Sequence, residues 1–145
     1  MVNNALFSKA VLLVFILFPI IAKADLVLVN DSNYYVSSIS AGGACAGENG
    51  GYLAPHSSMN VPTAKVAMLC GFKSPCTAKF ITSDKEADVK QCKGVNIGSA
   101  QIKDLLRNII SSITVIDTHY KLSGVGSNHL TLNEASFSFK KLFFN

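Results

Sequence analysis

Short runs of β-branched and aromatic residues, punctuated by turn residues, make up most of this chain. Asn30-Asp31, Gly42-Gly43, Asn49-Gly50-Gly51, Pro55, Pro62, Gly71, Pro75, Ser83-Asp84, Gly94, Gly98 and Gly124-Val125-Gly126 break the apolar pattern at short intervals. Pieces of that length suit strands better than helices. The pattern predicts strands over Leu26–Val29, Tyr34–Ser40, Ser58–Val61, Val66–Leu69, Thr77–Thr82, Ile113–Leu122, Leu130–Leu132 and Ser136–Phe144. In the last of these, Phe137, Phe139 and Phe143 share one face, as a terminal strand burying its aromatic rings requires. The fold class that follows is mostly β: a small disulfide-stapled β-sandwich or barrel-like domain.

One stretch departs from this pattern. Ile102, Leu105, Leu106, Ile109 and Ile110 recur at helical spacing behind Ser99, an available N-cap, which predicts one short helix near residues 99–110 packed on the sheet. The alternative is a strand over Val95–Lys103, a turn at Asp104–Asn108 and a second strand from Ile109. The mixed charges of residues 83–90 read as a solvated loop.

The longest apolar run lies at the start. Lys9, the run Ala10–Ile21 and Ala22-Lys23-Ala24 before Asp25 read as a cleavable signal peptide over residues 1–24. Its apolar core is too short for the roughly 30 Å hydrocarbon layer that a permanent helix must cross. Residues 25–145 then form a single exported domain, secreted or periplasmic, with no membrane span after cleavage. Signal peptidase and the export machinery are its implied partners.

Without residues 1–24 the chain keeps 11 basic against 9 acidic residues. That excess is too small and too evenly spread for a nucleic-acid binder. All four cysteines, Cys45, Cys70, Cys76 and Cys92, lie in the exported part, where an even count reads as two disulfides. Pairs Cys45–Cys70 and Cys76–Cys92 are favoured, because each would bridge successive strands. The paired knuckles of a zinc site are missing, so no metal is assigned, and no cofactor motif is found.

Candidate chemistry is sparse. Asp117 and His119 fall two apart on an expected strand, where the carboxylate could orient the imidazole for general-base work, yet no G-x-S-x-G elbow supplies a nucleophile. His129 could join them across a hairpin at a metal. Tyr34, Tyr35, Tyr52 and Tyr120 are candidate contact residues, since tyrosine offers large contact area at small entropic cost. The leading functional expectation is a binding or interaction domain for a protein or glycan ligand, more a non-enzyme than an enzyme. The alternatives are a small secreted hydrolase using Asp117 and His119, or an enzyme inhibitor presenting the loop Ala44–Ser57, held at Cys45.

The segments Val29-Asn30-Asp31-Ser32, Ser38-Ile39-Ser40-Ala41, Pro55-His56-Ser57, Leu69-Cys70-Gly71-Phe72, Pro75-Cys76-Thr77-Ala78, Cys92-Lys93-Gly94 and Ile97-Gly98 carry a resemblance. Over residues 26–100 the chain resembles small uncharacterised exported proteins of Legionella-type intracellular gammaproteobacteria. The resemblance implies a periplasmic or secreted location, with export in two steps after disulfide formation, and it implies no catalytic residue.

Overall fold

The computed structural model describes residues 24–135. All of the expected leader but Ala24, and the phenylalanine-rich strand expected over Ser136–Phe144, lie outside that range. Eight strands build two four-stranded sheets: β1 (Leu26–Asp31), β2 (Tyr35–Ser40), β3 (Ser57–Val61), β4 (Cys76–Ser83), β5 (Val95–Asp104), β6 (Ile109–Val115), β7 (Tyr120–Ser123) and β8 (His129–Glu134). The first sheet has the order β3-β1-β8-β7 and the second β2-β4-β5-β6. Each sheet keeps two edges, so the architecture is an open sandwich and not a closed barrel. β1 and β8 run parallel, and every other pair is antiparallel.

The sheets meet through apolar faces. Val36, Phe80, Ile97, Ala100 and Ile110 from the second sheet pack with Tyr120, Leu122, Leu130 and Leu132 from the first. Period-two alternation along each strand is what puts these residues on one side. Ile97 is completely buried although its parity is wrong. A bulge explains it: Phe80 pairs Gly98 while Ile81 pairs Asn96, so Ile97 is the extra residue. Gly98, at φ 152°, is needed there, because a Cβ would stand 2.3 Å from the Thr114 carbonyl oxygen.

No helix forms over 99–110; that segment is the β5–β6 hairpin. Ala100 and Ile102 alternate inward along β5, and the isoleucines that mimic helical spacing are strong strand formers. Asp104 ends the strand: its Oδ1 accepts the backbone N–H groups of Leu106 (3.0 Å) and Arg107 (3.2 Å), and Asn108 closes the turn at φ 55°. The strand expected over Val66–Leu69 is instead part of a helix, α1 (Thr63–Leu69), which starts behind Pro62 and buries Thr63 and Val66. The expected solvated loop contains α2 (Glu86–Lys90), whose Val89 is fully buried beside β4. The strand expected over Ile113–Leu122 is broken at residues 116–119 between β6 and β7.

The disulfides differ from the favoured pairs. They join Cys45 to Cys92 and Cys70 to Cys76, with Cα separations of 5.8 and 5.5 Å. Cys70 and Cys76 flank the short loop from α1 to β4, so their separation in the fold is set locally. Cys45 opens a strap over residues 44–53 that runs along the edge of β2, bridging Ile39 through Cys45 and Val36 through Leu53. Cys92 follows α2, and its Sγ accepts from the Ser37 hydroxyl on β2 at 3.5 Å. Strap and helix thus meet beside β2. A 3₁₀ turn, Ala46–Asn49, seats the strap, and Gly47 is required in it, because a Cβ would collide with the Val89 carbonyl oxygen at 2.0 Å. Ala44–Ser57 is therefore fastened against β2 through Cys45 and Leu53, with Glu48, Asn49 and Gly50 exposed between them.

Removing the pair with Cys45→Ala and Cys92→Ala, which span 47 residues, should cost about 4 kcal/mol, against about 2 kcal/mol for Cys70→Ala with Cys76→Ala, which span 6. Urea unfolding of the two double variants measures the difference; equal costs would contradict the loop-closure account.

Candidate functional site

Three places hold the residues that could do chemistry or bind. The first is the β6–β7 loop. Asp117 Oδ1 accepts the backbone N–H of His119 at 3.0 Å and lies 2.7 Å from its Nδ1. The loop is anchored by the bulge in β5, because the Ile97 carbonyl accepts the N–H groups of both Ile116 (2.9 Å) and Asp117 (3.2 Å). The two candidates are indeed together, but in a turn and not on a strand face. Backbone donation from His119, and then its side chain, hold the Asp117 carboxyl below the ordinary aspartate range. Among the described residues no hydroxyl side chain hydrogen-bonds His119. His129 does not join them. Ala135 donates to the His119 carbonyl, which puts His119 at the end of β8 opposite to His129, roughly 20 Å away along the strand.

The tyrosines scatter. Tyr120 is buried, its ring edge-on to Tyr34 at 5.8 Å, and its hydroxyl accepts from Thr82 at 3.3 Å. Burial pushes its pKa up. It belongs to the core, where the period-two pattern of β7 directs it, and not to a contact surface. Tyr52 donates its hydroxyl to Glu86, and Lys90 stands 5.5 Å over its ring. Tyr35 begins β2, half-buried. No shared tyrosine surface results.

Sequence reading missed a second polar group. His56, in the left-handed region at φ 54°, has Nδ1 3.2 Å from Asp31 and Nε2 2.9 Å from Asn33, whose amide donates to Glu134 at 2.8 Å. These residues come from three distant places in the chain, and no spacing announces them. The cluster is exposed and mutually satisfied, which suits a loop tie.

The third place is a cavity of about 140 Å³ between the sheets, on the flank where the edges of β2 and β3 face each other. Leu28, Phe80, Ala100, Ile110 and Leu130 form its floor, and Met59 and Val61 of β3 form one wall. Val66, Leu69 and the Cys70–Cys76 disulfide of α1 close one end, while Ala44, Ala46 and Gly51 of the strap form the other wall. Ser38, Ser40, Asn49, Asn60 and Lys65 supply polar groups along the lining. A concave, mainly apolar cavity with a few polar groups has the make-up of a small-ligand site. Its size is close to that of cavities that take one benzene ring, about 150 Å³. No sequence signal marked it, because the fold assembles it from both sheets, a helix mistaken for a strand and a strap.

The chain is thus a disulfide-stapled open β-sandwich with an apolar pocket on its flank. No protein-family model and no curated protein sequence matches it. A crystal structure of the Legionella pneumophila type II secretion system substrate NttC is similar to it, with a TM-score of 0.59 and 18% identity, covering 79% of this chain and 100% of that one. At that identity the likeness is one of fold.

The pKa of Asp117 has a direct test. A depressed folded pKa means that the stabilisation of the turn is present above the ordinary carboxylate range and is lost as pH falls through the lowered value. In an NMR titration the Asp117 midpoint should lie below that of an ordinary aspartate, and His119→Ala, which keeps the backbone donor, should restore it only in part. A midpoint at or above the ordinary value would contradict this geometry.

Proposed function

We propose that the protein is an exported, non-enzymatic binding module whose flank pocket receives one small apolar group of its ligand, a single ring or a short alkyl segment. The observation that carries the reading is the cavity itself: about 140 Å³, floored by core side chains and bounded by two disulfide-fastened segments. Rigid walls favour binding, because the ordering cost is met when the domain folds. Asp117 and His119 lie at the β6–β7 loop, outside the pocket lining, and among the described residues no hydroxyl hydrogen-bonds His119, which favours binding over hydrolysis.

Export is supported by three separate features. The first 24 residues have the composition of a leader, all four cysteines are paired, and the similar structure is that of a secretion substrate. A location in the periplasm or outside the cell fits them, as does passage through a type II route after the disulfides form.

Ligand-observed NMR with benzene, indole and hexanoate as probes tests the pocket. Saturable binding is expected for at least one probe, weakened about tenfold or more by Ala78→Leu, which adds bulk at the lining. Binding unaffected by that substitution, or no binding of any probe, would overturn the reading. Export is tested by intact mass of the full chain expressed in a bacterial host. A product starting at Asp25 and lighter by four hydrogens is expected; an uncleaved chain with free thiols would contradict it.

A further inference from the structure

The end of the sandwich nearest α1 gathers three loops. The α1–β4 loop is tied to β5 by the Ser74 hydroxyl, which donates to the Lys103 carbonyl. The β5–β6 turn is tied toward α1 by Asn108, whose amide donates to the Thr63 hydroxyl at 3.5 Å. The β7–β8 turn is tied to β6 by the Gly126 N–H, which donates to the Ile110 carbonyl at 2.8 Å. Each loop holds an apolar side chain out in solvent, Phe72 at 76% exposure, Leu106 at 47% and Val125 at 61%, and the last turn of α1 adds Met68 at 65%.

Cations surround these tips. Lys65, Lys73 and Lys103 have no carboxylate within ion-pair distance among the described residues. Arg107 lies 3.7 Å from Asp104, whose other oxygen is engaged by the turn; Asp25 is the remaining acid here. The opposite end carries Asp31, Asp117 and Glu134. The molecule is therefore polarised in charge along the strand direction, basic at one end and acidic at the other, while exposed apolar side chains stand at both ends, with Val95, Val115 and Ile116 at the acidic one.

We propose that the basic end docks on an anionic lipid surface, with Phe72 and Met68 entering the headgroup–acyl boundary and the lysines facing the headgroups. The proposal does not depend on the pocket. Three observations favour a lipid surface over a protein partner. Apolar tips alternate with free lysines, whereas the core of a protein interface is depleted of charge. Phe and Leu beside Lys and Arg is the composition that seats at the bilayer interface, where anionic headgroups attract nearby lysines. The backbone N–H groups of Cys70, Gly71 and Phe72 are bonded to carbonyls of α1 and that of Lys73 to Cys70, so placing Phe72 in an apolar layer strands none of these donors.

Co-sedimentation with vesicles tests it, using the protein expressed as the full chain and purified from the export fraction. Binding is expected to vesicles of phosphatidylcholine mixed with phosphatidylglycerol, and much less to phosphatidylcholine alone, with the difference shrinking as salt rises. Phe72→Ser should weaken binding about tenfold, and replacing Lys65, Lys73 and Lys103 by Gln should weaken it about fivefold per lysine. Ile116→Ser, an equally exposed change at the acidic end, and the pocket variant Ala78→Leu should leave it unchanged. All these variants except Ala78→Leu alter exposed side chains, and their circular dichroism should match that of the parent. No binding to the anionic vesicles, or binding indifferent to Phe72→Ser, would overturn the proposal. So would a sedimentation mass that falls from dimer to monomer in Phe72→Ser, since that end would then be a contact between two copies.

Discussion

The whole structure depends on the face-to-face packing of two sheets through a single apolar layer. Phe80, Ile97 and Ile110 on one side and Leu122, Leu130 and Leu132 on the other supply it. Each buried aliphatic or aromatic side chain contributes on the order of 2 kcal/mol, so this layer outweighs any surface interaction in the domain. Everything with a candidate role hangs on it. The bulge that admits Ile97 also aims its carbonyl at the Asp117 loop, and the pocket is the region of the same layer where the edges of β2 and β3 stay apart.

Accessory segments then close what the sheets leave open. α1 and its disulfide stop one end of the pocket, the strap covers the edge of β2, and α2 buries Val89 beside β4. These segments are short, and their own helical propensity is too weak to hold them; isolated helices of such length are not stable in water. Tertiary contacts and the two covalent links keep them in place. That division of labour separates a rigid scaffold from the surfaces available for recognition.

The β-rich character, most strand positions and the presence of two disulfides were legible in the chain, because period-two alternation and turn residues are local signals. Three things were not. The segment 99–110 offered helical and strand spacing together, and only the Asx turn at Asp104 with the left-handed Asn108 decided between them. Val66–Leu69 was too short for periodicity to separate strand from helix. The cysteine pairing depended on where the strap returned, which is a long-range fact: Cys45 and Cys92 are neighbours because strap and helix both rest on β2. Of the candidate site residues, Asp117 and His119 were legible as a pair, since their contact is local, whereas the misplacement of Tyr120 came from judging exposure by residue type. The pocket had no sequence signature, as its lining comes from segments scattered between Leu26 and Leu130.

The strap over β2 has a bearing on the life of the chain before it is oxidised. A bare strand edge presents unpaired backbone groups that invite another chain to add on. Here that edge is occupied by Leu53 and Cys45, and the strap that carries them is locked by the bond to Cys92. Wherever thiols stay reduced, only the backbone bridges and the seated 3₁₀ turn hold the strap over that edge. The bond that staples the fold thus also fixes the segment that blocks strand addition at β2.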